Sequence, residues 1–196
     1  LKAAALATLD IARRALDCGM VLKDASAYNV QFRGCQPTFI DTLSFETYTP
    51  GAPWVAYRQF CQHFLAPLAL MSYVDVRLNS LLRTHIDGVP LDLAARMLPK
   101  RTYLTPSLLL HIHLHAKSQA RYADAKVSVA HVSSGRFTKR AFEGLLTSLK
   151  SAVSGLAWQP KGTEWGDYYS DTNYTDGAMQ AKMELVEQYI QAVAPK

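Results

Sequence analysis

The stretch that decides the fold runs from Leu22 to Phe32 and reads LKDASAYNVQF. It contains an Asp-x4-Asn pattern formed by Asp24 and Asn29, and Asp41 follows twelve residues after the Asn. The meaning of this pattern depends on the elements around it.

Helix and hairpin signals flank the stretch on both sides. Residues 1–18 are rich in alanine and leucine, and Gly19 stands where a C-terminal cap belongs, which predicts a helix that ends just before the stretch. Residues 29–32 and 38–40 lie on either side of a turn at Arg33-Gly34, which predicts a short β-hairpin. The predicted order is therefore helix, loop, hairpin and Asp.

Phosphoryl transfer gives this order a physical meaning. An acceptor hydroxyl needs a carboxylate that orients it and takes its proton, and the phosphates need magnesium to spread the developing charge. Magnesium prefers oxygen ligands, and one carboxylate with one amide is a common share from the protein. The hairpin returns the chain so that Asp41 faces Asn29. The alternative interpretation is that Asp24 and Asn29 form turns and that Asp41 caps a loop.

Residues 1–45 resemble the helix, catalytic loop and metal-binding loop of protein kinases and of the aminoglycoside-phosphotransferase-like kinases. The resemblance implies that Asp24 is the catalytic Asp, that Asn29 and Asp41 hold Mg²⁺, and that ATP is the nucleotide. Lys23 departs from it, because protein kinases usually have Arg there, and Thr42-Leu43 replaces Phe-Gly after the metal-binding Asp. The sequence contains neither the Gly-rich loop nor the strand Lys paired with a helix Glu that make up the small lobe of kinases. We therefore expect a degenerate site.

A second resemblance covers more of the chain. The segments concerned read LKDASAYN (22–29), FIDTLSFE (39–46), PWVAYRQFC (53–61), HIHLH (111–115) and GTEW (162–165). They are similar to the N-terminal region of bacterial SAM-dependent methyltransferases, a group that includes nodulation-protein-like members. In that family a Rossmann-like methyltransferase domain follows. The resemblance implies that S-adenosylmethionine binds only in such a downstream domain, because no Gly-x-Gly loop occurs in this chain.

Composition limits the remaining classes of function. The 196 residues are 49% apolar and 19% charged, which suits a packed core. The net charge of +5 favours acidic partners such as nucleotides, but no run of five basic residues indicates nucleic-acid binding. No apolar run approaches the ~20 residues that cross a bilayer, and no signal peptide is present. Three cysteines without paired spacing are typical of free thiols, so we expect a cytoplasmic protein without nucleic-acid or membrane partners.

Basic side chains close to the pattern are candidate partners for phosphate or carboxylate groups. Lys23 is adjacent to Asp24, and Arg58 follows Asp41 in a segment that runs beside the acceptor site in kinase-like folds. Arg58 is expected to pair with Asp24, with Asp41 or with an anionic substrate. The alternative is that Arg58 is a surface charge.

Three histidines invite a metal interpretation. In a helix, His111 and His115 share a face while His113 points elsewhere. Two such histidines need a third ligand to bind zinc, and none follows in the sequence. Packing and hydrogen bonding are therefore favoured, with a metal or substrate role as the alternative.

The rest of the chain reads as helices with few breaks. Residues 1–156 are predicted to form a kinase-like helical domain, and residues 157–196 an aromatic linker and a terminal helix leading into a further domain. The aromatic stretch from Trp165 to Tyr174 is either a docking strip for that domain or a wrap around the helical core. Further helices are expected at 54–64, 67–82, 91–98, 106–123, 142–156 and 176–193, with a loop at 124–136.

The sequence thus predicts an α+β, predominantly helical fold like a kinase large lobe, with one small β-hairpin. The leading hypothesis is a kinase-like accessory or substrate-handling module of a SAM-dependent methyltransferase-type protein, inactive as an isolated fragment. A second hypothesis is an ATP- and magnesium-dependent small-molecule phosphotransferase whose small lobe lies upstream of Leu1. A third is a helical interaction domain with a vestigial site.

Overall fold

The computed structural model describes residues 1–117, 137–158 and 172–195. The chain forms two compact units, Leu1–Trp158 and Gln159–Lys196. The first unit is mostly helical and carries two small two-stranded antiparallel sheets, so the α+β expectation is confirmed. No helix within the described ranges is long and apolar enough to span a bilayer.

The first helix confirms the N-terminal prediction. Helix α1 (Lys2–Asp17) buries one face that includes Leu9 and Leu16. Gly19 follows with φ +74°, in the left-handed region that glycine enters at little cost, and its N–H donates to the carbonyl of Leu16. The chain therefore leaves the helix and turns directly into the deciding stretch.

The predicted hairpin is present, but it is not alone. Strands β2 (Val30–Arg33) and β3 (Gln36–Phe39) pair antiparallel around a turn in which Gly34 has φ +60°. Strand β1 (Met20–Leu22) pairs with β4 (Phe45–Thr47) in a second sheet. The prediction of one small hairpin is confirmed, and the second sheet was not predicted, because β1 and β4 are joined by the whole loop and hairpin and short-range turn signals do not show such a pairing. This second sheet closes the base of the loop.

A long interrupted helix packs against that loop. Helix α2 (Tyr57–Phe60) runs through a π-helical segment (Cys61–Leu65) into α3 (Ala66–Tyr73). The helix predicted at 54–64 is present but begins at Tyr57, and the helix predicted to start separately near Pro67 is its continuation. The two helices are continuous, and proline is accepted directly after the π-helical turn, at a position in the first turn of α3.

The predicted continuation of this helix to residue 82 was wrong. The chain breaks at Asp75, whose carboxylate accepts from the Arg77 N–H at 2.8 Å and caps a 3₁₀ turn (Val76–Ser80). Helix α4 (Leu81–Thr84) follows. Apolar spacing alone did not reveal this cap.

The remaining helices largely follow the predictions. Helix α5 (Leu91–Met97) precedes a 3₁₀ turn (Lys100–Leu104), and α6 (Pro106–Leu108) continues into a second π-helical segment (Leu109–Leu114). Helix α7 (Lys139–Gly155) and, in the second unit, α8 (Asp176–Val193) confirm the last two predicted helices. The predicted loop at 124–136, the end of the helix predicted to reach residue 123, and most of the aromatic stretch lie outside the described residues.

Aromatic packing fixes the deciding stretch to the core. Trp54 is 3% exposed, and its indole N–H donates to the carbonyl of Leu22 at 2.6 Å. Its ring lies 5.8 Å from that of Phe142 and 6.0 Å from that of Phe60, measured between centroids. The end of β1, where the loop begins, is thus held by a buried side chain from outside the stretch.

Candidate functional site

Asp24 begins the loop, and its two carboxylate oxygens have different surroundings. Oδ1 accepts two hydrogen bonds, from the backbone N–H of Ser26 at 2.9 Å and from Nε2 of Gln59 at 2.8 Å. Oδ2 accepts none from any residue that the structure describes. One oxygen therefore anchors the side chain, and the other keeps its lone pairs for a group from outside.

Two side chains from the interrupted helix hold the loop backbone. Oε1 of Gln59 accepts from the N–H of Ala25 at 2.7 Å, and Nδ1 of His63 accepts from the N–H of Ala27 at 3.4 Å. His63 is 4% exposed and meets the ring of Tyr28 edge-on at 5.8 Å. Burial lowers the pKa of His63, and the charges of Asp24 and Asp87 oppose that shift. We expect a neutral imidazole, which can accept the bond from Ala27.

Ser44 joins the other two predicted site residues. Its hydroxyl donates to Oδ2 of Asp41 at 2.5 Å and accepts from Nδ2 of Asn29 at 3.2 Å. The bond from Ser44 is the main reason that the pKa of Asp41 is lowered; the Leu43 N–H and the charge of Lys23 act in the same direction. Asn29 and Asp41 are therefore separated by a single hydroxyl, and Asp41 is held ionised.

A cavity of about 350 Å³ opens beside the loop. Asp24 and Asn29 both line it, whereas Asp41 does not and reaches it only through Ser44. The remaining lining residues come from the loop, from the interrupted helix and from the turn before α5: Ser26, Tyr28, Gln59, His63, Ile86 and Asp87. The structure thus places Asp24 and Asn29 at one cavity and joins Asp41 to Asn29 through Ser44.

The two predicted basic residues lie apart from Asp24. Lys23 is exposed, and its charge helps to lower the pKa of Asp41. Arg58 is also exposed, and its charge acts on His115, where it supports the lowering of the pKa that burial causes. Neither residue forms an ion pair with Asp24 or Asp41 in the described part of the chain. A role for them toward a phosphate group stays a prediction.

Four site residues were not found from the sequence. Ser44 follows Asp41 by three residues, whereas Gln59, His63 and Asp87 follow it by 18, 22 and 46 residues. A signal existed for two of them: Gln59 and His63 are four positions apart, which places both polar side chains on one face of the predicted helix. The chain gave no local signal that this face meets the loop.

The histidines of the second π-helical segment have structural partners. His111 bonds the Tyr57 hydroxyl through Nδ1 and the Ser148 hydroxyl through Nε2, each at 2.8 Å. His113 bonds the Thr102 hydroxyl at 2.8 Å. Burial lowers the pKa of His111 to about 4. No cluster of three or more His, Cys, Asp or Glu with metal-binding geometry occurs among the residues described.

Comparison with known proteins gives one name and no family. The chain is 38% identical over 198 aligned positions to the nodulation protein NoeA of Rhizobium meliloti (strain 1021). The alignment covers the whole chain, which spans 42% of the length of NoeA. No protein-family model matches the chain, and no solved structure matches it. The similarity supports a nodulation-protein-like, bacterial character.

Proposed function

We propose that the chain is a kinase-like, substrate-handling module of a longer nodulation-type protein. In this proposal the cavity beside Asp24 receives a small hydroxyl-bearing molecule. Asn29 and Asp41 serve a phosphate group through Mg²⁺. The observation that carries the proposal is the joining of Asn29, Ser44 and Asp41 at the edge of the cavity that Asp24 lines.

The donor atoms of the site suit magnesium. Asp41 is ionised, and each of its oxygens keeps a lone pair beyond the bonds from Leu43 and Ser44. Asn29 donates a hydrogen bond from its Nδ2 to the Ser44 hydroxyl. Its Oδ1 accepts no hydrogen bond from any residue described. Proteins typically contribute one carboxylate and one amide oxygen as ligands to a bound Mg²⁺ ion. When bound, the ion would neutralise charge on a phosphate group.

The proposal also includes a further domain in the longer protein. The chain matches 42% of the length of NoeA, which leaves room for a further domain in cis. We propose that this domain is a SAM-dependent methyltransferase and that S-adenosylmethionine binds there. The chain itself has no Gly-x-Gly loop to approach a nucleotide-like ligand closely. Calorimetric titration of the chain with S-adenosylmethionine is expected to show no micromolar binding.

A thermal-shift experiment tests the magnesium site. ATP with Mg²⁺ at ten times its dissociation constant stabilises a protein by about 1.4 kcal/mol, or about 3–5 °C for a chain of this size. We expect this shift for the wild type, none without Mg²⁺ and none for Asp41→Asn. Asp92→Asn, an exposed Asp in the first turn of α5, is the matched control and keeps the shift.

Two other results would redirect the proposal. If ATP and Mg²⁺ leave the wild type unchanged, the site is vestigial and a helical interaction domain is the better description. If ATP stabilises the wild type and Asp41→Asn equally, the nucleotide binds elsewhere and the proposed magnesium role is wrong.

The division between the two Asp24 oxygens favours a second candidate, phosphoryl transfer in the longer protein. The acceptor hydroxyl would give its proton to Oδ2 while its oxygen forms a bond to the γ-phosphorus of ATP. The bond from that phosphorus to the β–γ bridging oxygen breaks, and ADP leaves with the electron pair. Asp24→Asn is expected to abolish release of ADP by the longer protein while ATP with Mg²⁺ still binds, because Asp41 and Asn29 are unchanged.

A further inference from the structure

We infer that Gln59 is a positioning residue for Asp24, an inference that rests on the proposed role of Asp24 in phosphoryl transfer. The side-chain amide of Gln59 makes two bonds into the same dipeptide. Its Oε1 accepts from the N–H of Ala25 at 2.7 Å, and its Nε2 donates to Oδ1 of Asp24 at 2.8 Å. One side chain thus fixes the loop backbone and the carboxylate together.

The chemistry of an amide is what allows this double contact. A carboxamide offers an acceptor and a donor about 2.2 Å apart on one planar group, whereas a carboxylate offers acceptors only. Asp24 needs a donor because its Oδ1 is an acceptor, and Ala25 needs an acceptor because its N–H is a donor. Glutamate at position 59 would keep the bond to Ala25 but would oppose one carboxylate to another at Asp24.

The support behind Gln59 makes it a stable reference point. It lies in α2, one residue before Phe60, which is fully buried, and the helix continues into the π-helical segment that carries His63. His63 holds the N–H of Ala27 from the same helix. The loop is therefore hydrogen-bonded to one helix at two points. Asp24 is oriented so that its Oδ1 accepts hydrogen bonds and its Oδ2 accepts none from the described residues.

Positioning has a kinetic signature that support of the fold does not share. A residue that orients the group receiving the proton changes kcat, because that proton moves only in the reaction. Binding of ATP with Mg²⁺ is assigned to Asn29 and Asp41, so KM should be unaffected. Loss of an outer-shell partner that orients a metal ligand typically costs roughly 10- to 100-fold, and we expect an effect of the same order for the partner that orients Asp24.

The experiment measures release of phosphate from ATP with Mg²⁺, with water as the acceptor, by the gene-encoded protein that contains this chain. The variants are Gln59→Leu, Gln59→Glu, Asp24→Asn and the double variant Gln59→Leu with Asp24→Asn. Gln62→Leu is the matched control, since it makes the same chemical change three residues along the helix and its side chain does not line the cavity. Thermal melting of each variant checks that it folds.

The expected result has three parts. Gln59→Leu lowers kcat by roughly 10- to 100-fold with KM for ATP within about twofold of the wild type. Gln59→Glu, which keeps the loop bond, lowers kcat in the same way and guards against a misfolded Leu variant. The double variant is no slower than Asp24→Asn alone, because two residues that act as a unit do not add their effects.

Other outcomes separate the two ideas. Turnover that depends on Asp24 but is unchanged in the Gln59 variants, or losses that multiply in the double variant, would overturn the positioning role and leave the proposed function standing. A wild type whose turnover does not depend on Asp24 would overturn both.

Discussion

Replacement of Gly88 by alanine should destabilise the corner that closes the cavity. Gly88 has φ +92°, and a Cβ built on it would lie 2.7 Å from Cβ and 2.9 Å from the carbonyl carbon of Gln62, and 2.9 Å from Cδ2 of His63. The left-handed conformation costs an alanine about 1–2 kcal/mol, and overpacking of this kind costs about 1–3 kcal/mol. We expect a loss of about 3.5 kcal/mol in the free energy of unfolding, which is the sum of the middles of these two ranges.

Gly19→Ala separates the two causes. Gly19 also has a positive φ, +74°, but a Cβ there would meet nothing within 4 Å. Its variant should therefore show the conformational cost alone, about 1–2 kcal/mol. Urea unfolding followed by far-UV circular dichroism gives both values. If Gly88→Ala were no less stable than Gly19→Ala, the close approach of this turn to the interrupted helix would not matter, and the reasoning would fail.

Two further predictions concern titrating groups. Since the pKa of His111 falls from 6.5 in the unfolded chain to about 4 in the fold, the unfolded state binds the extra proton between these values, and stability is lost as pH falls through them. Between pH 7.5 and pH 5, urea unfolding should show the wild type losing about 2 kcal/mol more than His111→Gln, and equal losses would disprove the assignment. Removal of the Ser44 hydroxyl in Ser44→Ala should raise the pKa of Asp41 toward its ordinary value, because that bond is the main cause of its lowering. A ¹³C NMR titration of the Asp41 carboxyl measures this, and an unchanged pKa would show that Ser44 is not the cause.

Local signals predicted those parts of the fold that local chemistry determines. Helix α1 with its glycine cap, the β2–β3 hairpin and helix α7 each carry their start, stop and periodicity within the element itself. The pairing of β1 with β4 carries no such signal, because the strands are three residues long and 22 residues of loop, hairpin and connection lie between them.

The two π-helical segments show a different limit of sequence reasoning. Apolar periodicity predicted helix at both places but could not predict π geometry, which changes the residues per turn. Both segments carry buried histidines, namely His63 in one and His111 and His113 in the other. Buried polar groups need partners, and these partners come from other elements. Apolar periodicity therefore cannot predict these hydrogen bonds between elements.

In the candidate site, too, some residues could be predicted from the sequence and others could not. The spacing of Asp24, Asn29 and Asp41 predicted that they gather, because a loop followed by a hairpin returns the chain upon itself; in the structure Asp24 and Asn29 line one cavity, and Asp41 meets Asn29 through Ser44. The residues that hold them could not be predicted in this way. Gln59 is 35 residues from Asp24, and only the packing of the interrupted helix against the loop brings the two together.

A site that had become purely structural would be expected to use its polar atoms within the protein. Here the anchoring bonds consume Oδ1 of Asp24 and Nδ2 of Asn29, and they leave Oδ2 of Asp24 and Oδ1 of Asn29 without a hydrogen bond from the described residues. The fold thus fixes each side chain through one atom, and both side chains line the cavity. Oriented acceptors of this kind are what a hydroxyl and a divalent cation would need.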